Sequence, residues 1–259
     1  MFLEKIVELT RERANSLSSQ RSFESLLADG WRHPRRSLAA ALRSQPASII
    51  AEIKRASPSK RAFRPDFDHL LLAASYMSGG AVALSVVTEP TFFQGDDAWI
   101  SEIKSSVMAP VLRKDFILEP IQVAEAAALG ADAVLLIARI LSVAQMRELY
   151  DAANRAKLEV LFEAHDEYDL SKIAECDPRI VGINARNLDT FEVNTREFEQ
   201  LATRIPESAV AVAESGIDSC DQVTAAVKLG YQAFLIGEAL VTSPDPAETI
   251  RRLRAGVVK

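Results

Sequence analysis

After residue 47 the chain repeats one pattern eight times: a short apolar run, then a longer amphipathic stretch. The apolar runs cover residues 48–54, 81–87, 110–114, 133–137, 158–163, 180–184, 209–214 and 233–237. Between them lie helix-like segments such as 121–129 and 121's counterpart 220–229, each followed by a glycine, Gly130 and Gly230. Glycine is the residue that most often follows a helix C-terminus. Alternation of this kind requires a parallel sheet with crossover helices. Eight units within residues 48–259 predict an α/β fold, a (β/α)8 barrel. An open doubly wound sheet is the alternative, weakened by the lack of a G-x-G-x-x-G after the first run. With 259 residues and 48% hydrophobic content, one domain over 1–259 can bury a large core.

The first 47 residues fall outside the repeat. Leu3, Ile6, Val7 and Leu9 form one helical stripe, Phe23, Leu26 and Leu27 suggest a second short helix, and Pro34 and Pro46 punctuate the way to the first strand. This N-terminal helical extension is expected to pack on the barrel for stability, with a lid over its mouth as the other reading.

A net charge of −6 argues against nucleic acid or an anionic membrane as partner. Two cysteines, Cys176 and Cys220, supply no disulfide framework. The opening MFLEKIVELTRERAN lacks the unbroken apolar core of a signal peptide, and no stretch approaches the roughly 18 apolar residues of a membrane span. A cytoplasmic monomer is the expectation.

In a barrel the functional end is where the strands finish. Those ends carry Glu52, Lys54, Ser85, Lys114, Glu163, Asn184 and Glu214. Side chains alternate along a strand, so Ile50, Glu52 and Lys54 share a face. The same holds for Leu112 with Lys114, Leu161 with Glu163, Gly182 with Asn184, and Val212 with Glu214. A carboxylate and an ammonium facing the same way at a strand's end are costly unless paired or used. Charged or amide groups on five strands, converging on one mouth, predict general acid–base chemistry.

No metal is expected. His33, His69 and His165 are scattered and no H-E-x-x-H occurs. His165 lies beyond Glu163 in a loop and reads as a surface residue or a supporting one. Two loops suggest an anion site, Glu214-Ser215-Gly216-Ile217 after the seventh run and Ile236-Gly237-Glu238 after the eighth. Glycine there lets backbone N–H groups come close to a ligand, and barrels often bind phosphate at this place.

The run 49–63, IIAEIKRASPSKRAF, resembles the signature of the indole-3-glycerol phosphate synthase family. The resemblance continues through LSVVTE (84–89), PVLRKDF (110–116), GADAVLLI (130–137) and LFEAH (161–165). It ends with GIN (182–184), AESGI (213–217) and LIGE (235–238). It implies a lyase of tryptophan biosynthesis that needs no cofactor. Its substrate would be a phosphorylated small molecule, 1-(2-carboxyphenylamino)-1-deoxyribulose 5-phosphate. By the match, Lys114 would be the general acid on the C2′ oxygen and Glu163 its acid–base partner in dehydration. Lys54 would pair with the substrate carboxylate, while Glu52, Asn184 and Glu214 would orient these groups and stabilise charge on nitrogen. Which lysine protonates which oxygen stays open. Ser215, Gly216 and Gly237 would hold the phosphate, and Ser57, Phe93, Phe116, Leu135 and Arg186 would line the pocket.

Three departures from the family pattern stand out. Arg61 replaces a common glycine, Ala185 and Asn187 replace Asn and Asp around Arg186, and Glu238 follows the phosphate glycine. The Glu238 side chain is expected to point away, leaving only its N–H to the anion. A barrel isomerase such as phosphoribosylanthranilate isomerase would show a cysteine where Glu52 and Lys54 stand. A non-catalytic binder would lack Lys114 or Glu163. A synthase of altered substrate preference is the remaining alternative, raised by Arg61 and Ala185.

Overall fold

The computed structural model describes residues 2–58, 60 and 62–257. Arg61, one of the three departures, lies outside the described residues. The extension forms α1 (Phe2–Gln20), α2 (Phe23–Gly30) and α3 (Leu38–Leu42). The first half of the repeat gives β1 (Ser48–Ile53), α4 (His69–Gly79), β2 (Ala83–Val87), α5 (Ala98–Ser106), β3 (Val111–Lys114), α6 (Pro120–Ala128) and β4 (Ala133–Ile137). The second gives α7 (Val143–Arg155), β5 (Glu159–Ala164), α8 (Glu167–Ala174), β6 (Ile180–Asn184), α9 (Arg196–Leu201), β7 (Val210–Glu214), α10 (Cys220–Lys228) and β8 (Ala233–Ile236). Two further helices follow, α11 (Glu238–Val241) and α12 (Pro246–Arg254).

All neighbouring strands are parallel, and β8 pairs with β1 from Ser48 opposite Ala233 to Ala51 opposite Ile236. That last pairing closes the barrel and removes the open-sheet alternative. The eight runs read from the sequence coincide with the eight strands, with ends shifted by one or two residues.

Strand parity divides the apolar residues into two cores. Ile50, Ala83, Leu112, Leu135, Leu161, Val212 and Leu235 point inward and fill the barrel. Ile49, Ala51, Ile53, Leu84, Val86, Phe162 and Phe234 point outward beneath the helices. Fully burying one such side chain is worth about 1.5–3 kcal/mol. The inward set is largely apolar, with Ser48 and Glu159 at strand starts and Ser85 within β2 as polar exceptions, and its charged site groups lie toward the strands' ends.

The extension serves both ends. Leu38 and Leu42 of α3 are buried in the inner cluster, and Glu159 at the start of β5 accepts from Ala39 N and Ser37 Oγ. This helix therefore plugs the end where the strands begin. At the other end Phe2 packs edge-on against Phe92 (4.9 Å) and Phe191 (5.0 Å), and Ile6 joins the inner cluster. Stability and mouth cover belong to the same segment.

Candidate active site

The strand ends open into one cleft of about 820 Å³. Glu52, Lys54, Lys114, Glu163, Asn184 and Glu214 all line it. So do Ser57, Phe93, Phe116, Leu135, Arg186, Ser215, Gly216, Gly237 and Glu238. The candidate site residues read from the sequence thus reach the same space, except Ser85, which is fully buried in the middle of β2 and does not line the cleft. Phe2, Leu3, Phe63, Leu188 and Phe191 complete its apolar wall. No periodicity in the strands could have announced them, since they arrive from the extension and from loops.

Two lysine–glutamate pairs face each other across the mouth. Lys54 Nζ lies 2.5 Å from Glu52 Oε1 and 5.4 Å from the centre of the Phe63 ring. Lys114 Nζ lies 3.5 Å from Glu163 Oε2. Glu52, Glu163 and Glu214 are almost wholly buried. Burial alone would push the Glu52 carboxyl up, but Lys54 and Lys114 outweigh it and hold the group below its ordinary range. Glu163 follows the same balance, burial against Lys114 and then His165, and is also lowered. Lys114 is raised: burial disfavours its charge, but the carboxylates of Glu163, Glu52 and Glu214 overcome it. Glu214 goes the other way. Burial and then the neighbouring Glu163 charge push it well above a normal carboxylate, so it holds its proton where Glu163 does not.

Glycine makes room for two of these carboxylates. A Cβ on Gly182 would stand 1.9 Å from Glu214 Oε1, and one on Gly237 would stand 2.3 Å from Glu52 Oε1. The smallness of Gly237 is therefore used by Glu52, in addition to any ligand. Such a need is invisible in sequence, where glycine in a strand registers only as a weak strand former.

The two loops at the anion side are built differently. After β7, Ser215 (φ 67°) and Gly216 (φ 74°) are both left-handed, and Ser215 Oγ donates to Asn184 Oδ1 at 2.8 Å. A non-glycine residue there is strained, and the Asn184 bond helps to hold it. After β8, the Glu238 carboxylate pairs with Lys60 and stands 3.6 Å from Arg186 Nη2. Arg186 also donates to Phe191 O (3.1 Å), and its backbone N–H donates to Asn184 Oδ1 (3.0 Å). At the other departure, Ala185 is buried and its N–H donates to Glu214 O, while Asn187 Oδ1 accepts from Asp189 N and Thr190 N.

A sequence profile described as indole-3-glycerol phosphate synthase matches residues 3–253. The chain belongs to the indole-3-glycerol phosphate synthase family. Relatives of that name agree along almost the whole length. One from Shouchella clausii is 43% identical over 252 residues, covering 96% of each chain. One from Sulfurimonas denitrificans is 41% identical over 261 residues, covering 99% of each. Among solved structures, a tryptophan synthase alpha-subunit variant from Pyrococcus furiosus superposes with a TM-score of 0.62 at 15% identity, over 82% of this chain and 99% of that one. At such identity the likeness speaks for the fold alone.

Three residues that the sequence reading passed over also support the family site. Glu89, buried, accepts from the N–H groups of Thr91, Phe92 and Phe93 and so fixes the loop that presents both rings. Arg113, fully buried outside the barrel wall, pairs with Asp97, Asp115 and Glu125. Arg13 of α1 reaches Asp115 as well (2.9 Å), tying the extension to the residue after Lys114. The signal for Arg113 was its parity, which aims a cation into the helix layer where charge is costly unless paired.

Proposed function

We propose that the cleft closes the pyrrole ring of 1-(2-carboxyphenylamino)-1-deoxyribulose 5-phosphate, losing carbon dioxide and water to give indole-3-glycerol phosphate. The observation that carries this reading is the pair of lysine–glutamate contacts, Lys54–Glu52 and Lys114–Glu163, set opposite one another in a single cleft.

In the first step the ring carbon bearing the carboxylate attacks the C2′ carbonyl. One carbon–carbon bond forms, and the carbonyl oxygen takes a proton from Lys114. The Glu163 and Glu52 carboxylates beside it keep Lys114 charged, so the proton is at hand. Positive charge then develops on the substrate nitrogen, and the buried carboxylates of Glu52 and Glu163 stabilise it. Carbon dioxide leaves, and its bonding pair restores the aromatic ring. In the last step C1′ gives its proton to the Glu163 carboxylate, and the C2′ hydroxyl leaves as water on a proton from Lys54, whose carboxylate partner has by then departed as carbon dioxide. Before that loss Lys54 pairs with the substrate carboxylate.

Ser215, Gly216 and Gly237 hold the phosphate through their backbone N–H groups. Engagement of the Glu238 carboxylate with Lys60 and Arg186 supports a role for its N–H alone. Fixing an extended substrate at two anionic ends brings the reacting carbons together and removes entropy from the barrier. The phenyl ring fits the apolar wall of Phe93, Phe116 and Leu135. The same reading has the protein act as a monomer, because one chain supplies the groups the scheme uses; a chain-mass species in sedimentation supports it and a dimer opposes it.

Incubation of the purified protein with this substrate, followed by indole fluorescence, tests the proposal. A fluorescence rise with stoichiometric carbon dioxide is expected. A folded protein that yields neither would overturn the assignment.

A further inference from the structure

His165 lies behind the reacting groups and has no part in the scheme above. It follows β5 directly, its side chain is 3% exposed, and it does not line the cleft. Its Nε2 stands 3.4 Å from Glu163 Oε1, and its Nδ1 stands 3.6 Å from Asp169 Oδ2. The His165 backbone N–H donates to that same Asp169 oxygen at 3.1 Å. Asp169 Oδ1 is in turn 3.1 Å from Lys172 Nζ, and Lys172 donates to the carbonyls of Ala138 and Leu141. Four ionisable side chains thus run in file from the mouth into α8, and the far end is firmly anchored.

The near end is not. Among the described residues, Glu163 Oε1 and both ring nitrogens of His165 are buried with no hydrogen-bond partner. Buried polar atoms in contact with one another but left unbonded are costly, and bonds of this kind often tighten only when a site is filled. A contraction of a few tenths of an ångström would let Nε2–H donate to Oε1.

We propose that His165 is a positioning residue for Glu163: its Nε2–H holds Oε1, so that Oε2 stays aimed at Lys114 and the substrate, while Asp169 fixes the ring. This rests on the reading of Glu163 as an acid–base group. The charges facing the histidine are Glu163 on β5, Asp169 and Lys172 on α8, and Glu197 on α9. Burial pushes Glu163 up, and Lys114 and then His165 bring it down, so removal of the imidazole raises the Glu163 carboxyl.

The test compares His165→Asn, too short to reach Glu163, with His165→Gln, whose amide nitrogen reaches the Nε2 position. The Asn variant is expected to lose about tenfold in kcat with KM within about twofold, and the acid limb of its kcat/KM profile moves to higher pH by about half a unit. The Gln variant recovers most of the lost kcat. A His165→Asn enzyme with unchanged kcat and acid limb would overturn the proposal. So would equal losses in both variants with an unmoved limb, which would mark a packing role. If the Asn variant does not fold, histidine NMR on the wild type and Glu163→Gln decides. The His165 Nε2 chemical shift differs between the two if the pair is real and is unchanged if it is not. Turnover by Glu163→Gln itself reports separately, since retained activity would sink the role of Glu163 while the NMR comparison still judges the contact.

Discussion

The two ends of the barrel both bury charge, and they treat it in opposite ways. Where the strands begin, Asp132 accepts from Lys104 Nζ, from Arg36 N and from Val111 N, so its carboxylate is saturated. Where the strands finish, Glu163 Oε1 and both oxygens of Glu214 are buried without a hydrogen-bond partner among the described residues, and Lys114 stands 3.5 Å from the Glu163 carboxylate. A satisfied network specifies and stabilises the fold, whereas unsatisfied buried charge costs stability. The difference separates structural ionic groups from those held ready for a ligand.

Asp132→Ala should break the satisfied end most severely. It leaves Lys104 buried without its partner, a change that typically costs about 3–5 kcal/mol. Urea unfolding should show that loss, while turnover per folded molecule stays within about twofold of wild type. A loss below about 1 kcal/mol would erase the contrast between the two ends. Gly182→Ala should act at the other end. Its Cβ displaces the Glu214 carboxylate, and a misplacement of about an ångström can cost up to about 100-fold in kcat. Steady-state kinetics with unchanged kcat would show that the Glu214 position is immaterial.

The smallest effect is on stability and has a defined sign. Glu214 is raised in the folded protein, so its contribution is fully present below the unfolded carboxylate range and is lost as pH rises through the folded value. Glu214→Gln removes that loss. Its thermal midpoint should match wild type near pH 4 and exceed it by roughly 2 °C or more at pH 8. A midpoint difference that does not change with pH would contradict the assignment of the proton to Glu214.

Much of this was legible in the sequence because strand parity is a strict rule. Ile50, Leu112, Leu161 and Val212 fill the barrel and the polar residue two further on faces the mouth, so β1, β3, β5 and β7 could be read directly. What parity does not reach was missed. Phe2 and Leu3 enter the cleft from the first turn of α1, far in sequence from the first active-site carboxylate, Glu52, a long-range contact with no local signature. Gly182 and Gly237 make space for carboxylates on neighbouring strands, which depends on register between strands. His165 was left between surface and supporting roles, and only the fold of the loop into α8 buries it.

The most direct test sets Lys114→Ala beside the wild type on the same substrate. Indole fluorescence should fall by about a thousandfold or more in the variant, the range expected for loss of a general acid that no neighbour replaces. Calorimetry should still show substrate bound within several-fold of wild type, because the phosphate loops and Lys54 are untouched. Turnover within about tenfold of wild type would contradict the claim that the chemistry runs through the Lys114–Glu163 pair.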